Sequence, residues 1–188
     1  MRLATIAFIA VALSSATAAA ASDDDDVSVF ESKPTAFYSV FGLGTPVGLM
    51  GVELERTLLP NWSISAGGGW DLSGFQASAM TRLLLGASRR ARFTIGAGIS
   101  GGKYDWKESC FDCDEVAEKI GTVAWGNLEI GGEHRFESGF ALRYFGGYGH
   151  IVAGDLVCTG YATASCVAYH QNDGRDTIYT GIALGGAF

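Results

Sequence analysis

Arg175-Asp176-Thr177-Ile178-Tyr179-Thr180-Gly181-Ile182-Ala183-Leu184-Gly185-Gly186-Ala187-Phe188 is the stretch on which the chain ends. Counting back in twos from the last residue gives Phe188, Gly186, Leu184, Ile182, Thr180 and Ile178. The other parity gives Ala187, Gly185, Ala183, Gly181 and Tyr179. One face is apolar and the other mostly small, the period-two pattern of a strand lying between two environments. Chain ends usually fray into water. An apolar strand with a final aromatic residue therefore needs partners from the rest of the chain.

Seven runs upstream carry the same period. The first, near Thr35 to Gly44, is blurred, with Phe37, Phe41 and Leu43 on one face and Tyr38 and Val40 on the other. Gly48 to Thr57 sets Met50, Val52 and Leu54 against Glu53 and Glu55. Asn61 to Trp70 places Trp62, Ile64, Ala66 and Trp70 opposite Ser63, Ser65, Gly67 and Gly69. Phe75 to Gly86 alternates Phe75, Ala77, Ala79, Thr81, Leu83 and Leu85 with Gln76, Ser78, Met80 and Arg82. Ala91 to Gly101 alternates Phe93, Ile95, Ala97 and Ile99 with Arg92, Thr94, Gly96, Gly98 and Ser100. Ile120 to His134 sets Leu128 and Ile130 against Asn127, Glu129 and Glu133, but Val123 and Trp125 fall on the wrong parity, which calls for a bulge or an inward Trp125. Phe140 to Ile151 sets Phe140, Leu142, Tyr144 and Tyr148 against Ala141, Arg143, Phe145 and Gly147.

Eight runs of about 9 to 13 residues cover the roughly 9–11 that a tilted strand needs to cross a bilayer. Trp62 and Trp70, on one face about an apolar middle, resemble the two aromatic girdles of a membrane barrel. The second, fourth and sixth connections are short, whereas the fifth (Lys103 to Lys119) and seventh (Val152 to Gly174) are long; the first and third, on the long-loop side, are brief. A chain of 188 residues suffices for one domain, and 27 Gly with 3 Pro suits a barrel whose lumen must accept small residues.

Residues 1–21 read as a secretory signal: Arg2, an apolar run from Leu3 to Leu13, and small residues from Thr17 to Ala21. Residues 22–34 form an acidic N-terminal tail, closed by Pro34, and 35–188 the barrel. The run Asp23 to Asp26 lacks the Gly-punctuated spacing of a Ca²⁺ loop and reads as solvated. Losing the signal removes one positive charge and takes the net charge from −7 to −8, which argues against nucleic acid as a partner. Beyond the signal no apolar run of 18 residues exists, so any membrane crossing is by strands.

Over nearly the whole mature length the chain resembles the small eight-stranded bacterial outer-membrane barrels of the OmpA and OmpX kind. The resemblance rests on strand pattern and closing strand, with Phe188 matching their assembly signal. It implies an all-β, eight-stranded antiparallel up-and-down transmembrane barrel in the outer membrane of a Gram-negative cell. Short turns would face the periplasm and long loops the cell surface. Its partners would be outer-membrane lipid, lipopolysaccharide and the barrel-assembly machinery. A monomer without cofactor or metal is expected.

The strand charges Glu53, Glu55, Arg82, Glu129 and Arg143 all take the parity opposite the apolar residues. In a barrel this narrow they must pair with one another or meet trapped water. The expected network joins Glu53, Glu129, Arg82 and Arg143, with Glu55, Arg92 and Glu133 nearer the periplasmic end. It serves either as a plug that fixes register or as a gated path through a narrow pore. A soluble lipocalin-like barrel would need an apolar interior instead.

Cys110 and Cys113 lie in the fifth connection, Cys158 and Cys166 in the seventh. An even count in an exported chain implies disulfides. The simplest pairing is within each loop, but four cysteines allow three pairings. A four-thiolate Zn²⁺ site would need a second Cys-x-x-Cys. Such loops, carrying Tyr104, Trp106, Phe111, Tyr161 and Tyr169, could recognise a surface ligand or simply cap the barrel. The enzymatic alternative resembles the lipid A acyl-modifying barrels, which use a His with Ser and an acid near the membrane edge. His150 and His170 are near that rim and His134 at the other, but Ser165, Asp155 and Asp173 show no compelling triad spacing. No catalytic residue is assigned.

Overall fold

In the computed structural model, residues 27–86, 88–109, 116–154, 157–159 and 176–188 are described; side chains of 104–109, 116–120 and 157–159 are not. The signal segment, Asp23–Asp26, Cys110, Cys113, Asp155, Ser165, Cys166, His170 and Asp173 lie outside the described residues. So does the side chain of Cys158.

Alternation along the runs has its consequence in a closed wall. A single helical turn, α1 (Val29–Ser32), precedes β1 (Thr35–Thr45), β2 (Gly48–Leu59), β3 (Trp62–Asp71), β4 (Gly74–Leu85), β5 (Ala91–Ser109), β6 (Val116–Arg135), β7 (Phe140–Ala153), β8 (Val157–Thr159) and β9 (Asp176–Ala187). Each of β1 to β7 pairs antiparallel with its sequence neighbour, and β9 pairs with both β7 and β1. Eight strands thus close an up-and-down barrel with no free edge. The β2–β3, β4–β5 and β6–β7 turns share one rim with the start of β1 and the end of β9, here the turn end; the opposite rim, the hairpin end, carries the short β1–β2 and β3–β4 turns and the long β5–β6 extension. At the turn end Thr35 and Phe188 exchange both backbone hydrogen bonds, at 3.0 and 2.8 Å, which ties the last residue to the first strand.

Two features depart from the expected layout. The connection expected from Lys103 to Lys119 is largely strand, because β5 and β6 run on together to the pair Ser109–Val116. Its charges do not break pairing, since a hairpin beyond the apolar belt can solvate them. The short β8 lies outside the barrel and pairs with Glu118–Ile120 of that extension. As expected, Trp125 is inward, on the parity of Asn127 and Glu129; β6 keeps unbroken register with β5, and an irregularity falls on its other side between Ala124 and Trp125, where Val152 of β7 is skipped.

Outward residues are large and apolar: Met50, Val52, Leu54, Ile64, Leu83, Ile99, Leu128, Ile130, Ile182 and Leu184 are all exposed. Trp62 and Trp70 both face out, with Trp70 edge-on to Phe75 at 5.4 Å between ring centres. The lumen has two unlike halves. Its β9, β1 and β7 side holds an apolar cluster of Ala36, Tyr38, Val40, Ala141, Phe145, Tyr179 and Ala183. Its charges come from β2, β4 and β6, with Arg143 reaching them from β7. Small residues make room for the rings, as expected for the inward face of the closing strand. A Cβ on Gly147 would come within 2.3 Å of the Tyr179 ring, and one on Gly181 within 2.7 Å of the Phe145 ring. At the hairpin end Gly48 holds φ +92°, a left-handed conformation that suits glycine, as the β1–β2 turn tucks Val47 inward.

Candidate functional site

Inward parity brings four glutamates and three arginines together, each at most 4 % exposed. Arg82 of β4 donates from Nε to Glu129 at 2.7 Å and from Nη1 to Glu53 at 2.9 Å, Glu55 at 3.1 Å and Ser65 at 2.7 Å. Arg143 of β7 reaches the same two β2 acids, donating from Nη2 to Glu53 at 2.7 Å and from Nη1 to Glu55 at 2.8 Å. Its guanidinium also lies over the Tyr38 ring at 4.7 Å. An isolated buried ion costs several kcal/mol, roughly, so charge-assisted bonds shared among several partners are what make such a cluster tolerable.

The expected quartet of Glu53, Glu129, Arg82 and Arg143 is therefore assembled. Glu55, two residues nearer the turn end than Glu53 and level with Ala36 of β1, is also the hub. One of its oxygens accepts from Arg82 and Arg143, the other from Arg135 Nη2 at 2.7 Å. Arg135 continues the inward parity of Glu129 and Glu133 at the last position of β6, one residue beyond the run Ile120 to His134 read from the sequence. It is fully buried and also donates to Glu133 at 2.6 Å, to Thr57 at 3.3 Å and to the Lys33 carbonyl at 2.9 Å. Tyr38 completes the group by donating to Glu133 at 2.7 Å. The network ties β1, β2, β4, β6 and β7 across the lumen.

Arg92 stands outside it. Although its Cα faces Glu133 across the strands, it makes no ion pair among the described residues. Its Nη1 donates to the Gly86 carbonyl and its Nη2 to Ser28 Oγ at 3.4 Å. The reason is α1, which occupies the turn-end mouth. Ser28 caps that turn by accepting from the Phe30 N–H at 3.3 Å, and Val29 N–H donates to the Arg89 carbonyl at 3.1 Å. Phe30 is completely buried between two guanidinium groups, 4.6 Å from Arg135 and 5.5 Å from Arg92. The described end of the N-terminal tail, Ser28 to Lys33, is thus a stopper in the barrel mouth.

At the hairpin end, beyond the apolar belt, His150 Nδ1 lies 2.6 Å from Asp176 Oδ1, and Tyr148 donates to the same oxygen at 2.5 Å. The hydrogen bonds from His150 and Tyr148 hold the Asp176 carboxyl below its ordinary range. All three are exposed on the outer surface, and no serine hydroxyl joins them among the described residues. His134 is at the turn end, tilted against the Tyr144 ring at 6.3 Å. Among the described residues no group of three or more His, Cys, Asp or Glu side chains could hold a metal ion.

No family model matches the chain, and no curated protein matches it. Among solved structures it aligns with the crystal structure of Acinetobacter baumannii CarO, at 13 % identity and a TM-score of 0.46, over 82 % of this chain and 98 % of that one.

Proposed function

We propose that this chain is an integral outer-membrane β-barrel, of the small eight-stranded kind, whose interior network is a plug and whose long surface hairpins carry a structural or recognition role. The observation that carries the reading is the outward face. Met50, Val52, Leu54, Ile64, Leu128, Ile182 and Leu184 expose their side chains while glutamates and arginines are buried, the inverse of a water-soluble barrel. The rise from Trp62 to Trp70 is about 26 Å along the strand at ~3.3 Å per residue. At a tilt of roughly 40° that is about 20 Å along the axis, near the ~25 Å apolar band of outer-membrane barrels.

In this reading the turn end faces the periplasm and the extended β5–β6 hairpin rises from the cell surface, where disulfides among Cys110, Cys113, Cys158 and Cys166 would close the loops. Residues 1–21 are removed on export, and Phe188 addresses the chain to the assembly machinery. The plug reading is favoured over a pore because Arg82 and Arg143 each bridge acids across the lumen. Extraction from cell envelopes tests the membrane reading. Solubility only in detergent, with gel migration that changes on boiling, is expected; release by salt or alkali would sink it. Shortening the hairpin tip or the loop after β7, with assays of adhesion, phage sensitivity and permeability, tests the surface role. Loss of lipid A acyl groups on incubation with lipopolysaccharide, abolished by His150→Ala, would support the enzyme instead.

A further inference from the structure

One part of the outward face is neither convex nor wholly apolar. Across β2, β3, β4 and β5 the register aligns Leu54, Ala66, Ala79 and Ile99 in one row, so two small residues lie between two large ones. The next row towards the turn end is Arg56, Ile64, Thr81 and Ala97. The result is a shallow trough of about 560 Å³, floored by alanines and walled by Leu54, Ile64 and Ile99, with Arg56 at its edge.

Arg56 shares the parity of Met50, Val52 and Leu54, so it projects out of the barrel. Its Nη1 donates to Thr35 Oγ1 at 2.5 Å, and it forms no ion pair among the described residues. It is one row closer to the middle of the barrel than Trp62. An arginine facing lipid is costly at depth and becomes tolerable where its head can reach the headgroup layer.

Resting on the membrane reading above, we infer that this trough is a binding site for one glycerophospholipid of the periplasmic leaflet, its phosphate on Arg56 and an acyl chain along Ala66 and Ala79. A guanidinium without a carboxylate partner matches a phosphate diester, and the alanine floor matches a chain too bulky for a surface filled with Leu and Ile. A second copy of the barrel fits less well. A two-fold dimer with both barrels upright in one membrane would set Arg56 against the partner's Arg56 at the same depth, a like-charge contact.

Native mass spectrometry of the barrel, folded in dioleoyl phosphatidylglycerol vesicles and then released into detergent, tests the site. Wild type should retain one phosphatidylglycerol, and Arg56→Gln and Ala79→Leu should each weaken retention by about tenfold, the scale of one hydrogen bond to a charged group. Retention of dioleoylglycerol, which lacks the phosphate, should fall in Ala79→Leu and stay unchanged in Arg56→Gln. Equal retention by all three proteins, each with heat-dependent gel migration, overturns the site and leaves the barrel reading standing. A dimer mass that disappears in Ala79→Leu would assign the trough to a second copy. Wild type that never enters vesicles would overturn the membrane reading itself and the site with it.

Discussion

The guanidinium of Arg135 lies 4.6 Å from the ring centre of Phe30, so the turn-end ion of the buried network is covered by a residue from before the first strand. The contact joins a cation to an aromatic face in a desolvated place, where such pairs are worth up to about 2 kcal/mol.

Phe30→Ala should therefore leave the barrel assembled but destabilise it by roughly 3 kcal/mol, the lower end of the range for a buried Phe. Urea titration in vesicles, followed by tryptophan fluorescence, reads this directly. A change below about 0.5 kcal/mol would mean that α1 adds nothing to the mouth.

Arg143→Ala removes two ion pairs and leaves Glu53 and Glu55 short of a partner. The expected loss is about 3–5 kcal/mol, as when one member of a buried pair is deleted. Planar-bilayer recording supplies the second readout. A plug predicts no ordered conductance in wild type, whereas a defined unitary current altered by this substitution would favour the pore.

Leu128 is 60 % exposed at the middle of an outward strand face. Leu128→Arg should cost about 2–4 kcal/mol in a bilayer, the depth-dependent penalty for a lipid-facing cation. In a barrel surrounded by water the same change would be nearly neutral. Folding yields into vesicles, compared with wild type, distinguish the two outcomes.

Gly147→Ala should destabilise by about 1–3 kcal/mol, because the added methyl meets both the Tyr179 ring and the Leu128 carbonyl. Pairing it with Tyr179→Leu should recover part of the loss, and strictly additive effects would show that the two do not collide.

Deletion of Phe188 should lower insertion by the assembly machinery more than it lowers the stability of barrel already folded. Phe188 is 67 % exposed, and its described contacts are the backbone pair with Thr35. Comparing assembly in cells with unfolding of refolded protein checks this, and equal losses would refute an address role.

Much of this architecture was legible because a strand between two environments writes its surroundings at every second residue. Glu53, Arg82, Glu129 and Arg143 could be placed inside, and Ile182 and Leu184 outside, from parity alone. Parity does not say where a strand ends, which left Arg135 out although it is in step with Glu129 and Glu133, and it does not say how far a long arginine reaches, which hid the central position of Glu55. Charge misled at Lys103 to Lys119, since solvated charges are compatible with a paired hairpin. Arg56 was readable in principle, as it shares the parity of Leu54. Phe30 was not, because no period precedes β1 and a single turn carries its burial.

The division of the lumen bears on the order of events when the sheet closes. The strands that meet at the seam, β1 and β9, turn Ala36, Tyr38, Val40, Tyr179 and Ala183 inward and contribute no charged side chain to the lumen. Every ion of the network comes from β2, β4, β6 or β7. A cylinder zipped shut along its first and last strands therefore finishes with only small and aromatic groups moving into place. The glutamates and arginines can find one another beforehand, while water still reaches them through the open side.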